Sequence, residues 1–261
     1  MDSVNKTLYI PLRGKAYVSS RRLLLSDPDA EAIWTAEGFP LKGKAATKWL
    51  AYSMGIRAAV FDRWLAVQLR ELPDATVLHL GCGLDSRCRR ISCENGWFDV
   101  DFPQVIAERK RYFSESGSYR MIGCDLREDF LRTIPSGSRA IVVMEGISMY
   151  LTPKERQSLL SRLSGHFSQV RLLLDSYTVF AAKATRYKNP INAVGVREVY
   201  GFDNPRDLET DNMAFFAEHN MNPAEFVRQL PKKDQAIFRL VYGGAMARKI
   251  CRLYEYRRKS A

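Results

Sequence analysis

The sequence predicts an α/β fold with a mostly parallel sheet, because short apolar strands alternate with amphipathic helices through the middle of the chain. Strands are predicted at residues 76–81, 97–101, 119–125, 140–145 and 170–177. The segments between them, such as PQVIAERKRYF and PKERQSLLSRLSGHF, carry apolar residues at helical spacing. Strands separated by helices pair in parallel through right-handed crossovers, so we expect helices on both faces of the sheet.

Helices are also predicted ahead of the sheet, where apolar residues recur at helical spacing from about residue 28 to 72. One helix begins at Asp27-Pro28, and a second runs from Lys44 until Pro73 stops it. Residues 1–72 are therefore predicted to form a helical cap on a core that spans residues 73–177.

The remaining residues, 178–261, complete what is predicted to be a single domain, since no repeat or linker divides the chain. Residues 178–198 contain no clean strand and are predicted to be a late insertion that shapes a ligand pocket. Helices are predicted at 208–219 and 233–246, followed by a final strand at 250–256 that joins the sheet in antiparallel orientation.

The composition is that of an ordinary globular protein, with 46% hydrophobic and 26% charged residues among 261. No apolar run approaches the roughly 18 residues that span a bilayer, and the N-terminus lacks the apolar stretch of a signal peptide. We therefore expect a cytoplasmic protein with no membrane span and no membrane partner. Five cysteines without CxxC spacing and three histidines indicate neither a disulfide framework nor a metal site. The oligomeric state stays open.

The net charge of +11 is compatible with a nucleic acid partner, an anionic small substrate or a well-solvated surface. The clearest basic concentration runs from Arg248 to Lys259, with Tyr254 and Tyr256 between the cations. RNA bases stack on such aromatic rings. Alternating tyrosine and arginine is also typical of a half-buried edge strand, and we favour that interpretation. Nucleic acid remains the less favoured partner.

The strongest local signal is VLHLGCGLDSR, in which a buried strand runs into a glycine-rich turn. Gly81 and Gly83 let the backbone turn sharply and approach a ligand at the carboxyl end of the first strand. Ser86 replaces the third glycine of the dinucleotide-binding pattern, and Asp85 stands beside it. A carboxylate here would repel a pyrophosphate, whereas S-adenosylmethionine (SAM) has no phosphate and carries an ammonium and a sulfonium. The turn therefore favours SAM over NAD or FAD.

Acidic residues stand at the ends of three further strands. Asp99 and Asp101 end the second strand and point to the same face, so either can accept hydrogen bonds from the ribose hydroxyls. Asp125 follows the third strand and Glu145 the fourth. A parallel sheet brings these strand ends to one rim, which predicts a binding pocket there. His79, inside the first strand, is interpreted as a core histidine.

Four segments together, LHLGCGLDSR, FDVDFP, GCDLRE and VVMEGISMYLTP, resemble in order and spacing the motifs of the leucine carboxyl methyltransferase family. The resemblance covers roughly residues 10 to 180. It implies a Rossmann-like class I methyltransferase fold, with a mostly parallel seven-stranded sheet and a helical N-terminal cap. The family includes tetracenomycin-type polyketide O-methyltransferases and an enzyme that acts on a wybutosine precursor in transfer RNA. We therefore expect SAM-dependent methylation of an oxygen on a small-molecule carboxylate or phenol; the alternative is an RNA-modifying or RNA-binding protein on the same fold.

The resemblance also implies which residues bind the cofactor. Gly81 corresponds to the family's glycine packed on SAM, and Asp101 in VDFP to the ribose-binding acid. Asp125 and Leu126 correspond to the pair that reads and packs the adenine. Glu145 in MEG corresponds to the acid beneath the cofactor.

Three further positions are implied by the same resemblance. Arg57 in GIRAAVFD matches an arginine that clamps the methionyl carboxylate. Tyr150 in MYLTP lines the acceptor side, and Lys15 in GKA matches a basic residue of the N-terminal cap. We expect Tyr150 and Lys15 to position the acceptor without carrying protons. We also expect catalysis to need neither a metal nor a general base, since a carboxylate acceptor is already nucleophilic at neutral pH.

Overall fold

A seven-stranded sheet forms the centre of the molecule in the computed structural model, which describes residues 5–136, 138–185, 198–243 and 247–259. The strands are β1 Thr76–Leu80, β2 Trp97–Asp101, β3 Tyr119–Gly123, β4 Arg139–Met144, β5 Gln169–Tyr177, β6 Met213–His219 and β7 Cys251–Arg258. They lie side by side in the order β3, β2, β1, β4, β5, β7, β6. Neighbouring strands are parallel except where β7 pairs with β5 and β6. The predicted mostly parallel sheet is confirmed.

The strand order reverses next to β1, which pairs with β2 on one side and with β4 on the other. Leu80, at the end of β1, stands beside Val100 in β2 and Met144 in β4. Crossover connections that leave in opposite directions open a crevice at such a point, outside the carboxyl ends of the strands. The topology therefore provides a binding site immediately after Leu80.

Helices cover both faces of this sheet. They are α1 Tyr9–Ser19, α2 Pro28–Glu37, α3 Lys48–Glu71, α4 Arg87–Arg90, α5 Pro103–Arg109, α6 Pro153–His166, α7 Val179–Ala184, α8 Ala224–Val227 and α9 Lys232–Tyr242. Short 3₁₀ turns lie at Asn5–Leu8, Gly43–Ala46, Phe130–Thr133, Ser148–Tyr150 and Pro205–Leu208. Helices α2 and α3 correspond to the two predicted helices of the cap, and α1 is an additional one. Within the described ranges, no helix has the length and apolar character needed to cross a membrane.

The alternating side chains of β1 show how the sheet is buried on both faces. Leu78 and Leu80 belong to an apolar cluster that includes Leu159, Leu160 and Leu163 of α6. The opposite face packs against α3, where Val77 belongs to a cluster with the buried residues of that long helix. Each face therefore has its own core.

The predicted helix at 208–219 is wrong, because residues Met213–His219 form strand β6. Pairing with β7 decides the conformation here: Phe215 stands opposite Tyr256, and a bulge at Phe215/Ala217 interrupts the register. Long-range pairing of this kind overrides a local helical spacing. The final strand, predicted at 250–256, is confirmed as β7.

The structure differs from the prediction for the C-terminal part of the chain in two further details. Strand β7 lies inside the sheet rather than at its edge, and Tyr254 and Tyr256 are fully buried, so neither ring is available for stacking on RNA bases. The helix predicted at 233–246 ends at Tyr242, where the chain turns at Gly243, and residues 244–246 lie outside the described part. Most of the predicted insertion, residues 186–197, also lies outside it.

Candidate active site

A cavity of about 350 Å³ lies at the carboxyl ends of β1, β2 and β4, between the sheet and the helical cap. This volume is within the range of small-molecule sites, about 300 to 1,000 Å³. All of the predicted site residues line the cavity: Lys15, Arg57, Gly81, Gly83, Asp101, Asp125, Leu126, Glu145 and Tyr150. Residues far apart in the sequence therefore meet at one rim.

The glycine turn after β1 uses backbone conformations that favour glycine. Gly81 has φ +67° and Gly83 has φ +52°, both in the left-handed region. A Cβ atom on Gly81 would lie 2.3 Å from Cγ2 of Ile147, whereas one on Gly83 would meet only Leu8 Cβ, at 3.4 Å. Position 81 therefore requires glycine, both because its backbone conformation is left-handed and because there is no room for a side chain. The backbone amide of Gly83 points toward β2.

Asp101 binds this turn from the end of β2. Its Oδ2 accepts a hydrogen bond from the Gly83 amide at 2.7 Å, and its Oδ1 accepts one from the Phe102 amide at 2.8 Å. Burial raises the pKa of Asp101, and no cation within the described ranges forms an ion pair with it. A carboxylate so placed keeps lone pairs for neutral donors in the cavity, such as sugar hydroxyls.

Asp99, two residues earlier, has a different environment. It is fully buried, and its carboxylate binds Arg109 Nη2 at 2.5 Å, the Tyr119 hydroxyl at 2.6 Å and Trp97 Nε1 at 2.8 Å. These partners consume its acceptor capacity inside the protein. Of the two acids that the sequence cannot separate, only Asp101 lines the cavity.

Arg57 is held by two buried carboxylates. Its Nε donates to Glu145 Oε1 at 2.9 Å and its Nη1 donates to Asp175 Oδ2 at 2.8 Å, while no hydrogen bond to the described residues uses Nη2. Glu145 also accepts from Arg87 Nη2 at 2.5 Å. Burial raises the pKa of Glu145, but Arg87 and Arg57 together outweigh this effect and hold it at about 2. The cavity therefore contains a firmly ionised acid that fixes an arginine.

Asp175 and Arg87, which sequence reasoning misses, do not line the cavity but hold two residues that do, Arg57 and Glu145. Asp175 stands near the end of β5, in LLLDSY, and also accepts a hydrogen bond from the Gly146 amide at 2.6 Å. The sequence does carry a signal, since an acid near the end of a fifth parallel strand belongs to the same rim as Glu145. Arg87 is suggested by the sequence only as a partner of Asp85, and that ion pair is present at 3.3 Å.

Lys15 reaches the glycine turn from helix α1. Its Nζ lies 3.2 Å from Asp85 Oδ2, and the lysine is almost completely buried. Burying an ammonium costs several kcal/mol unless a counter-charge is close, and Asp85 provides one. The pair ties the cap to the turn after β1.

His79 is buried in β1, as predicted for a core histidine, and it also belongs to the cavity lining. Its Nε2 lies 3.1 Å from Arg87 Nη1, and its Nδ1 lies 3.3 Å from Asp99 Oδ1. A guanidinium only donates, so Nε2 must accept from Arg87 and the ring hydrogen belongs on Nδ1, toward Asp99. Both ring nitrogens face protein groups.

The opposite end of the cavity is apolar and aromatic. Tyr150 and Tyr177 belong there to one cluster with Ile10, Leu50 and Met54. Burial raises the pKa of both phenols, so both stay protonated at neutral pH. Elsewhere on the rim, Leu126 adds apolar surface. In the described part of the chain, no group of His, Cys, Asp and Glu residues is arranged to hold a metal ion.

Residues 13–164, more than half of the chain, match the family model of leucine carboxyl methyltransferase. The chain belongs to the leucine carboxyl methyltransferase family. Curated relatives of this family member support the assignment. The chain is 34% identical over 215 residues to the tetracenomycin polyketide synthesis O-methyltransferase TcmP of Streptomyces glaucescens, covering 80% of this chain and 79% of that protein. It is 31% identical over 171 residues to the SAM-dependent methyltransferase dpfgK of Gibberella zeae, covering 59% and 57%.

Solved structures share the fold of this leucine carboxyl methyltransferase family member. One is the magnesium protoporphyrin IX methyltransferase ChlM of Synechocystis PCC 6803 with bound S-adenosylhomocysteine (TM-score 0.52, 12% identity, covering 89% of this chain and 100% of that chain). Another is a DUF574 family protein of Streptomyces avermitilis (TM-score 0.58, 12% identity, covering 95% and 97%). The fold is that of class I methyltransferases. As a member of its family, the chain is a methyltransferase whose methyl donor is SAM.

Proposed function

We propose that this methyltransferase transfers the methyl group of SAM to a carboxylate oxygen of a small organic acid, and that one cavity at the strand ends holds both. The proposal rests on one observation: the described residues that line the cavity include no side chain that is available as a general base. An acceptor that arrives already ionised needs none. The name of the relative TcmP, a polyketide O-methyltransferase, supports an oxygen acceptor on a small molecule.

The residues around the glycine turn fit SAM. Asp101 offers acceptor positions for the two ribose hydroxyls, while Gly81 and Gly83 leave the backbone open to close approach. The guanidinium of Arg57 faces the cavity and is pre-oriented by Glu145 and by a second buried carboxylate. A fixed planar donor of this kind suits the methionyl carboxylate. When bound, SAM supplies the electrophilic methyl group.

We assign the adenine end to Asp125 and Leu126. Leu126 would pack on the base, and Asp125 would accept from its amino group. The carboxylate of Asp125 also accepts from Arg127 Nε, at 2.9 and 3.0 Å, and this ion pair lowers its pKa. The acid therefore stays ionised and acts as an acceptor, not a donor.

Tyr150 and Lys15 are proposed to position the acceptor. Tyr150 stands in the apolar cluster with its phenol protonated, and so can donate one hydrogen bond to an acceptor oxygen. Lys15 brings a buried ammonium to the same cavity, restrained by Asp85. A cavity with a cation at the glycine turn and a hydroxyl donor at the apolar end suits an organic anion with an apolar body.

Among the described residues of the cavity wall, no acid would be left to act as a base once SAM is bound, because the ribose hydroxyls would take the acceptor positions that Asp101 keeps open. Asp85, Asp125 and Glu145 are ion-paired, and Asp101 accepts from two backbone amides. The tyrosines stay protonated, and both nitrogens of His79 face other groups. Rate enhancement would then come from holding the acceptor oxygen in line with the methyl group, an effect that can supply about 7 to 11 kcal/mol, with the cap excluding water.

Labelled SAM tests the acceptor class directly. The protein is incubated with pairs of compounds that share a ring skeleton, such as naphthoic acid and naphthol. We expect label in the acid only, as an ester that mild alkali cleaves. Chelation should leave the rate unchanged, and the rate should lack a basic limb between about pH 6 and 9. Alkali-stable ether products, or a basic limb that one substitution removes, would show that the acceptor is a phenol and that the carboxylate proposal is wrong.

A substitution at Tyr150 tests its positioning role. Tyr150→Phe removes the hydroxyl donor and keeps the ring, so the KM for the acid should rise by about tenfold or more, because a hydrogen bond to a charged acceptor contributes about 1.5 to 3 kcal/mol. The shape of the pH profile and the affinity for SAM should not change. A new dependence on pH would contradict the role assigned here.

A further inference from the structure

Large apolar side chains that are exposed to solvent cluster in one part of the described chain. They are Val179, Phe180, Phe216, Ile237, Leu240, Val241 and Ile250. All except Phe216 lie on α7, on α9 or in residues 247–250, which we call together the α7–α9 surface. Leu240 is 81% exposed and Phe180 65%. Exposed residues of this size are ordinary when scattered, but a cluster marks an interaction site.

The parts of the α7–α9 surface are tied together. The Thr178 amide, at the start of α7, donates to Ile250 O at 3.2 Å, and its hydroxyl donates to Lys249 O at 2.6 Å. Gly243 directly follows α9, and the distance that the chain can cover from there to Ala247 is at most about 14 Å. The exposed apolar residues therefore share one region of the molecule.

Helix α9 has a buried side and an apolar outer side. On the buried side, Phe238 packs edge-on against Tyr52. On the outer side, Ile237, Leu240 and Val241 stand at positions i, i+3 and i+4 and form one exposed stripe. A helix of a globular protein normally turns its polar side to water. The outer apolar side of α9 is therefore exposed to solvent in the described structure.

The charges of the α7–α9 surface are almost all positive. Its cations are Lys183, Lys232, Lys233, Arg239, Arg248 and Lys249. Its one acid in the described residues is Asp234, which is buried and bound to Lys48 Nζ at 2.8 Å and to the Tyr52 hydroxyl at 2.9 Å. Two of these cations have an acid close by in the described structure: Arg248 forms an ion pair with Glu218 of β6 at 3.1 Å, and Lys233 acts electrostatically on Asp234. The surface therefore combines protruding apolar side chains with an excess of lysine.

We propose that the α7–α9 surface seats on an anionic lipid bilayer. Exposed leucine and phenylalanine beside lysine and arginine are the features of helices that lie in a membrane interface. Each lysine or arginine near an anionic lipid surface adds electrostatic attraction. A second copy of the chain would bring the same cations face to face, and lysine is depleted in protein–protein interfaces. Lipid is therefore the occupant that the charges and side chains favour.

The α7–α9 surface lies close in the chain to the apolar end of the cavity. Helix α7 begins two residues after Tyr177, which lines the cavity at its apolar end. Seating on lipid would bring that end close to a phase in which apolar acids dissolve. The inference concerns a surface outside the cavity, so it does not depend on the acceptor class proposed above.

Flotation with lipid vesicles tests the proposal. We expect the protein to float with phosphatidylcholine vesicles that contain phosphatidylglycerol, and much less with phosphatidylcholine alone. A double variant, Phe180→Ser with Leu240→Ser, should lose about tenfold or more of its partition to the anionic vesicles, since two large apolar side chains no longer enter the lipid. The matched control is Phe216→Ser, an exposed phenylalanine on β6 beneath Arg257, which should float as the unchanged protein does.

Calorimetric SAM binding, equal for all variants, verifies that each is folded. Failure of the unchanged protein to float with anionic vesicles would overturn the proposal, as would equal losses in the double variant and in Phe216→Ser. Light scattering provides a further check. If it shows a dimer that the double variant abolishes, a second copy covers the surface, and the lipid assignment is wrong.

Discussion

Replacing Asp101 by asparagine tests the assignment of the ribose site. The carboxylate accepts from the Gly83 amide at 2.7 Å and from the Phe102 amide at 2.8 Å, and its remaining lone pairs face the cavity. Asparagine keeps one acceptor oxygen and turns an NH₂ group toward a backbone donor. A hydrogen bond to a charged acceptor contributes about 1.5 to 3 kcal/mol, so losing one predicts a fall in SAM affinity of about tenfold to more than a hundredfold.

Calorimetry with SAM and with S-adenosylhomocysteine measures this effect, and both ligands should lose affinity by a similar factor because both carry the ribose. The matched control is Asp99→Asn, in the same strand but facing Arg109 and Tyr119. It should lower the free energy of unfolding and reduce SAM affinity much less. Affinity that is unchanged in Asp101→Asn, or a greater loss in Asp99→Asn, would refute the ribose assignment.

The same site predicts a pH dependence. Burial raises the pKa of Asp101 in the folded protein, so acidification protonates it at a higher pH than an ordinary aspartate. A protonated carboxyl loses acceptor capacity, and SAM affinity should therefore fall as the pH drops through this raised pKa. Asp101→Asn should lack that part of the pH dependence. If the variant and the unchanged protein weaken in parallel, another group is titrating.

Three further substitutions test the site. Arg57→Lys should lower the affinity for SAM about tenfold or more, because one ammonium cannot replace the planar pair of guanidinium donors. The affinity for methylthioadenosine, which has no amino-acid portion, should hardly change. Equal losses for both ligands would contradict the contact between Arg57 and the methionyl carboxylate. Gly81→Ala should lower the free energy of unfolding, measured in urea, by about 2 to 6 kcal/mol, because the left-handed backbone is strained and the new methyl group overlaps Ile147. Gly83→Ala should lower it less, because there is room for a methyl group at that position. Glu145 has a pKa of about 2 in the folded protein against an ordinary 4.5, so its contribution to stability is complete above pH 4.5 and is lost as the pH falls toward 2. Glu145→Gln should therefore remove that part of the loss of stability in acid. If the free energy of unfolding of the variant falls with acid as steeply as that of the unchanged protein, the role assigned to Glu145 is wrong.

Local patterns in the sequence are sufficient to predict much of the fold and to predict which strand-end residues line the cavity. The alternation of apolar strands and amphipathic helices depends on which side chains must be buried. The spacing of apolar residues along the chain indicates which side chains these are. The strand-end residues Gly81, Asp101 and Glu145 can be assigned to one site from the sequence alone, because a parallel sheet places all its carboxyl ends on one rim. The cavity lining agrees with that reasoning.

Other features depend on partners that are distant in the sequence. Residues Met213–His219 are a strand because β7 supplies their hydrogen bonds, although their local spacing suggests a helix. Asp99 and Asp101 share a face of β2, and only the packing of Arg109 and Tyr119 separates the structural acid from the one that faces the cavity.

The same limit applies to the arginine of the cavity. Arg57 is oriented by Asp175, 118 residues away in the sequence. A residue pattern reports which side chains are buried and how they repeat. It does not report which side chain from another element fills the remaining hydrogen-bonding positions of a buried charge, because that depends on how the elements pack in three dimensions.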